Sequence, residues 1–241
     1  MKNLKLFTIV LAALMFTLMG CDCVSIRGTG DYILENRHVE GFTGVSLGIH
    51  ARIVLEQDSL WEMKIEAQEN VLDVIKTEVR GNMLHISAGN ICTWDTEPVT
   101  IFLKMPEVDR IEIGGSGTVV TKREIRGEDL DLGVSGSGQM MLELSMKRVD
   151  VHISGSGEID IAGSTRDLDI HISGSGECYA LNLRSQDADI QISGSGSSKV
   201  YAKESLDVSI SGSGNVFYKG EPDISTSVSG SGEVRKIGDD F

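Results

Sequence analysis

Two stretches decide how this chain folds. They are Val149-Asp150-Val151-His152-Ile153-Ser154-Gly155-Ser156-Gly157-Glu158-Ile159 and, nineteen residues on, Leu168-Asp169-Ile170-His171-Ile172-Ser173-Gly174-Ser175-Gly176-Glu177-Cys178. Apolar and polar residues alternate on both sides of a Gly-Ser-Gly, the period of two that a strand produces. Working outward, the tripeptide begins at Gly115, Gly136, Gly155, Gly174, Gly194, Gly212 and Gly230, in steps of 21, 19, 19, 20, 18 and 18 residues. A degenerate copy, Gly28-Thr29-Gly30, lies near the start of the chain.

Aligned on the glycines, the repeats form columns. Two residues before each first Gly stand Ile113, Val134, Ile153, Ile172, Ile192, Ile210 and Val228, all β-branched. Four before stand Ile111, Leu132, Val151, Ile170, Ile190, Val208 and Thr226, and six before stand Asp109, Leu130, Val149, Leu168, Ala188, Leu206 and Ile224. Each repeat therefore reads as strand, Gly-Ser-Gly bend, strand. A coil of about 20 residues cannot bury its own apolar face, so like must stack on like. The glycines suit a sharp corner where a side chain would meet the coil above. The expected fold is all-β, a parallel β-helix. An antiparallel meander would set unlike half-repeats side by side and leave the column identity without a cause.

Residues 24–113 are less regular. Val45/Leu47/Ile49, Ile53/Leu55 and Val99/Ile101/Leu103 alternate as strands do, and Arg80-Gly81-Asn82 reads as a turn into Met83–Ser87. Asn70 with Asp73 is expected to open a short helix running to Ile75. No Pro/Ser linker divides this region from the repeats, so irregular coils continuous with the solenoid are expected.

Composition narrows the function. The 241 residues carry a formal charge of −14, and Lys2 and Lys5 lie in a leader without acids, so the remainder carries about −16. That balance argues against nucleic acid and anionic membrane surfaces as partners. Aromatic residues make up 5% of the chain, and Phe7 and Phe16 belong to the leader, which leaves little for a large cofactor pocket; no cofactor is expected.

Residues 1–20 have the parts of an export signal: Lys2 and Lys5, an uncharged run from Leu6 to Met19, then Leu18-Met19-Gly20-Cys21. The run of about fourteen residues is short for a membrane span. Leu, a small Gly and Cys in these positions resemble a bacterial lipobox, which implies cleavage before Cys21 and lipid on its thiol. Membrane contact is then through the N-terminal lipid, at the cell envelope and on the outer membrane, its face left open. With Cys21 lipidated, Cys23, Cys92 and Cys178 are odd in number, so at least one is a free thiol or an intermolecular partner.

A lipobox, followed by Arg37-His38-Val39-Glu40-Gly41-Phe42-Thr43-Gly44-Val45 and then serial Ile-Ser-Gly-Ser-Gly, resembles the putative auto-transporter adhesin, head GIN domain family of Bacteroidota. Glu69-Asn70-Val71-Leu72 and Gly81-Asn82-Met83-Leu84-His85-Ile86 belong to the same likeness, which spans about residues 37–235. It implies a right-handed, single-stranded parallel β-helix and supplies no catalytic motif. The chain is accordingly divided into a leader (1–20), a lipidated N-terminus with the first coil (21–36) and the β-helix domain (37–241).

Three outward constellations stand out. Asp131, Asp150, Asp169, Asp189 and Asp207 share one column. Stacked about 4.8 Å apart, neighbouring carboxylates repel by about 0.9 kcal/mol even in bulk water. Solvent, counter-ions and turn amides can offset that, as can Lys147, Arg148 and Arg166; a Ca²⁺ shared between coils is the alternative. His152 and His171 share another column, continued by Gln191, Ser209 and Ser227. Tyr179 and Phe217 share a third with Lys199 between them, and Tyr201 lies two residues further on, a candidate aromatic patch for a sugar or protein. No Ser has a recognisable His/Asp partner or a G-x-S-x-G setting. The expected function is a non-enzymatic binding or adhesion module, lipid-anchored, with an unknown protein or glycan partner. The alternatives are a polysaccharide lyase or hydrolase, and a periplasmic structural or regulatory module.

Overall fold

The computed structural model describes residues 24–89, 91–95 and 98–238. The leader, Cys21 and Cys23 lie outside them. The N-terminal part forms β1 (Val24–Arg27), β2 (Tyr32–Arg37), β3 (Gly44–Leu47), β4 (Arg52–Gln57), β5 (Glu62–Gln68), a helical turn α1 (Glu69–Leu72), β6 (Lys76–Arg80), β7 (Met83–Ser87), β8 (Ile91–Asp95) and β9 (Thr100–Met105). The repeats form β10 (Arg110–Ile113), β11 (Thr118–Thr121), β12 (Ile125–Arg126), β13 (Asp129–Gly136), β14 (Gln139–Ser145), β15 (Arg148–Gly155), β16 (Glu158–Ser164), β17 (Asp167–Gly174), β18 (Glu177–Gly194), β19 (Ser197–Gly212), β20 (Asn215–Lys219), β21 (Asp223–Gly230) and β22 (Glu233–Lys236).

These strands stack in parallel as a β-solenoid of about 7 turns with about 19 residues per turn. The strands before the Gly-Ser-Gly corners form one face, here face A: β3, β10, β13, β15, β17, the later parts of β18 and β19, and β21. Those after the corners form face B: β4, β11, β14, β16, the earlier parts of β18 and β19, β20 and β22. The register is that of the sequence columns. Val134, Ile153, Ile172, Ile192 and Ile210 lie beside one another and are at most 2% exposed. Asp109, the polar member of its column, lies just before β10 and is exposed, while Val108 beside it is buried.

Both glycines of a corner are fixed by the coil before. At Gly174, φ is +123°, and an added Cβ would lie 2.7 Å from the Gly155 carbonyl oxygen. At Gly176 it would lie 2.3 Å from Cγ2 of Ile153 and 2.8 Å from the Gly157 oxygen. The serine between them continues the backbone ladder: the Ser175 N–H donates to Gly155 O at 2.8 Å, as Ser156 does to Gly136 and Ser195 to Gly174.

The N-terminal coils do not stack in chain order. β3 lies between β7 and β10, and β4 lies between β9 and β11. The coil of residues 44–57 is thus second in space, and the later coil of residues 83–105 is first. Beyond that first coil the strands turn antiparallel: β6 on β7, β5 on β9, and β2 on β5. Residues 21–36, expected to hold the first coil, hold none among those described: β1 pairs with β8 and β2 closes the end of face B. Gly28-Thr29-Gly30 is likewise not a solenoid corner but the link between them, where Asn70 accepts from the Thr29 N–H and donates to the Arg27 carbonyl. With its side chain so engaged, Asn70 does not cap a helix, and α1 stops at Leu72 rather than reaching Ile75. Arg37 donates to the Leu72 and Ile75 carbonyls and holds that end.

A candidate binding face

Alternation sends every second side chain outward on each face, and there the sequence is free of the packing that fixes the inward columns. The two faces use that freedom differently.

Face A is acidic. Asp131, Asp150, Asp169, Asp189 and Asp207 are direct neighbours in successive coils, with Arg110 ahead of them and Ser225 behind. Arg110 neutralises one end through a 2.7 Å contact to Asp131. Two residues earlier runs a second ladder that the column reading missed: Asp129, Arg148, Asp167, Asp187, Ser205 and Asp223. Its signal was present seven residues before each first glycine, masked by the interruptions at Arg148 and Ser205. The ladders line an open cleft of about 430 Å³. Partial burial, then repulsion from Asp169 and Asp131, raises Asp150 above the ordinary carboxylate range. Asp167 is held below it by the hydrogen bond from Arg166. The carboxylates lie in rows, and among the described residues no three His, Cys, Asp or Glu side chains gather as a metal site.

His152 and His171 are adjacent on the same face, their rings stacked with centroids 5.1 Å apart. Ahead of them in the column stand Gly133 and Glu112. The missing side chain at Gly133 helps leave a polar cleft of about 480 Å³ bordered by Arg110, Glu112, Asp131 and His152. The fold does not require glycine there: an added Cβ would meet only Cγ of Glu112, at an ordinary 3.5 Å.

Face B carries an apolar stripe. Its central outward column begins Lys64, Phe102, Val54, Val120, Met141. It continues through Asp160, Tyr179, Lys199, Phe217 and Arg235. Phe102 is 40% exposed and Met141 43%. The expected aromatic patch lies within this column in part: Tyr179 and Phe217 belong to it, separated by Lys199. Cations cover both rings, with Lys199 Nζ 5.1 Å from the Tyr179 centroid and Arg235 5.0 Å from that of Phe217. Tyr201 stands in the next outward column, between Arg184 and Lys219. Tyr179 donates to Glu177, and that bond, more than burial, pushes its hydroxyl up to about 12.

The uncovered part of the stripe is at the other end, which sequence reasoning missed because β4 and β9 lack the glycine corner that aligned the repeats. Phe102, Val54 and Leu103 line a largely apolar hollow of about 490 Å³, walled by Glu56, Glu62, Lys64, Lys104 and Lys122. Those charges are paired: Lys122 with Glu56 at 2.9 Å, Lys104 with Glu62 at 3.2 Å and with Asp58 at 3.3 Å. The Lys122 hydrogen bond holds Glu56 below its ordinary range, and Lys64 followed by Lys104 does the same for Glu62. An apolar floor inside a rim of satisfied charges is the composition of a recognition surface.

Cys178 faces inward beneath Tyr179, fully buried and free of any disulfide. Burial pushes its thiol up to about 12, so it is inert at neutral pH.

A parallel solenoid with an acidic and an apolar outer face places the chain among the β-helical proteins. It belongs, more narrowly, to the family described as putative auto-transporter adhesin, head GIN domain, which matches residues 41–222. It is similar to a putative adhesin from Bacteroides fragilis, 25% identical, with a TM-score of 0.84 over 88% of this chain and all of that one. A putative lipid binding protein from Parabacteroides distasonis is 24% identical, with a TM-score of 0.76 over 89% of this chain and all of its own. A putative adhesin from Parabacteroides merdae is 20% identical, with a TM-score of 0.71 over 89% of this chain and 99% of its own. These last two share the fold. Comparison with curated proteins finds no match. Family and fold together support a non-enzymatic binding module. Among the described residues no helix is long and apolar enough to cross a membrane.

Proposed function

We propose that the chain is a lipid-anchored adhesion module of the bacterial cell envelope, held through Cys21, which engages a protein or glycan with the apolar end of face B. The observation that carries this reading is the run Phe102, Val54, Val120 and Met141, outward-facing on four successive coils, with paired charges rimming its Phe102–Val54 end. Exposed apolar side chains in a row cost solubility, and nothing in the packing of the solenoid asks for them. The export signal and lipobox support the anchoring.

Two measurements test it. Cells carrying the full chain are assayed for adherence to wells coated with purified glycans or extracellular proteins, beside cells carrying Phe102→Ser with Met141→Ser. The double variant is expected to lose most adherence while keeping its melting temperature within a few degrees. Equal adherence by a folded variant would overturn the assignment of face B. Cys21→Ala is expected to release the domain from the membrane fraction, and retention there would overturn the anchor.

A further inference from the structure

The two ends of the solenoid are finished differently. Face A ends at the N-terminal end with β6 lying antiparallel on β7, and Lys76, Glu78 and Arg80 along that edge. Lys and other charged side chains along an edge strand are a usual way of stopping it from pairing again. At the other end, among the described residues, β21 pairs with β19 alone and no strand lies along its second edge. It reads Asp223-Ile224-Ser225-Thr226-Ser227-Val228-Ser229-Gly230, and every residue is exposed. Ile224 and Val228 follow Leu206 and Ile210 in inward columns, yet they are 44% and 43% exposed where their predecessors are 0% and 2%. This strand of eight residues has one charge, at its first position, with no lysine and no internal proline. The Asp column of face A also stops one coil earlier, and Ser225 takes its place.

We propose that this edge is a self-association surface, where β21 of a second copy of the chain pairs antiparallel with β21 about a two-fold axis at Thr226. In an antiparallel pair, directly opposed residues lie on the same side of the sheet, so inward residues must meet inward residues. The register centred on Thr226 satisfies that requirement. Ile224 meets Val228 of the second copy, Ser225 meets Ser227, Thr226 meets itself, and Asp223 meets Ser229. Each exposed aliphatic side chain gains an aliphatic partner, and no carboxylate opposes another. Because the edge strand at the opposite end, β6, carries Lys76, Glu78 and Arg80, a head-to-tail filament is disfavoured, and the contact uses the same edge on both copies, as a closed dimer does. The two N-termini then project in opposite directions. Under the anchoring proposed above, the partners come from facing membranes; the pairing in solution does not depend on that reading.

The test is native mass spectrometry and sedimentation of the full chain in detergent, with cysteine cross-linking to read the register. The unsubstituted chain is expected to dimerise. Thr226→Lys puts two like charges on the axis and is expected to weaken dimerisation at least tenfold, and Ser225→Lys serves as a second variant should the first fail to fold. Thr226→Cys is expected to cross-link to itself above the background of the unsubstituted chain. Ile224→Cys is expected to cross-link to Val228→Cys in a mixture and not to itself. A chain that is monomeric at all concentrations, a dimer indifferent to both lysines, or self-linking of Ile224→Cys equal to that of Thr226→Cys would overturn the proposal. Loss of adherence on face B with the dimer intact, or the reverse, separates this contact from the function proposed for that face.

Discussion

Faces A and B are built from the same backbone, wound through the same corners and filled by one core, yet their outer surfaces are opposite in chemistry. Face A stacks carboxylate on carboxylate from Asp131 to Asp207. Face B stacks Phe102, Val54, Val120 and Met141. A solenoid constrains every second residue tightly and the alternate ones hardly at all, so its outer columns record what the surface is for, with little contribution from folding.

The largest expected effects are those that break both faces together. Gly174→Ala places a Cβ against the Gly155 carbonyl at a φ that side chains rarely adopt. It should cost about 3 kcal/mol in denaturant titration. Ile172→Ala, in the inward column, should cost about 3 kcal/mol by opening a cavity. Gly133→Ala provides the contrast: its added Cβ meets nothing closer than 3.5 Å, so it should be neutral or stabilising by up to about 1 kcal/mol. If Gly133→Ala and Gly174→Ala destabilise equally, the separation of fold-required from surface-chosen glycines fails.

A smaller effect lies in the core beneath face B. Ser198 is fully buried, next to Cys178 in its column, and its hydroxyl has no partner. Ser198→Ala should raise stability by about 1 kcal/mol. In the same molecule Cys178 should stay unalkylated at neutral pH until the solenoid unfolds, as read by mass after iodoacetamide.

Smaller again, and of opposite sign on the two faces, is the response to pH. Asp150 on face A has a raised folded value. It binds its proton more tightly folded than unfolded, so its contribution worsens as pH rises from about 4, the unfolded carboxylate value, through the folded one. Asp150→Asn should therefore raise the melting temperature at pH 7, an effect that fades at pH 3 and shrinks in high salt. Glu56 beside face B has a lowered value. Its stabilisation is present above about pH 4 and is lost as pH falls through the folded value, so Glu56→Gln should lower the melting temperature at pH 7. Parallel shifts of the two variants would erase the electrostatic half of the comparison. The least expected change in stability is at the stripe itself: Met141→Ser should stay within about 0.5 kcal/mol while adherence falls.

The repeats were legible because Gly-Ser-Gly aligned them, and their columns became coil neighbours residue for residue. The Asp ladder and the His152–His171 pair followed from the same alignment. Tyr201 stands two residues past Lys199, in the next outward column as counted, but a register shift near Ala180 and Arg184 makes Arg184 its neighbour in the preceding coil. The N-terminal coils were not legible in that way. Gly48-Ile49-His50-Ala51 turns the corner of the second coil without Gly-Ser-Gly, with His50 Nδ1 3.0 Å from the Ser116 carbonyl oxygen. Without a shared marker, nothing in the sequence told β4 to lie between β9 and β11, and the outward run from Phe102 to Met141 exists only once that order is known.

The inverted order of the first two coils has a mechanical consequence. A solenoid pulled by a terminal coil gives way like a zip, one pair of strands at a time. Tension entering from the N-terminus passes β1 and β2 and then reaches β3 and β4, which are gripped along both edges, by β7 and β9 on one side and β10 and β11 on the other. Extracting them means shearing two interfaces at once, whereas tension on the C-terminus meets β21 and β22, each paired along a single edge among the described residues of one copy. The handle on the N-terminal side is the one that resists being torn out.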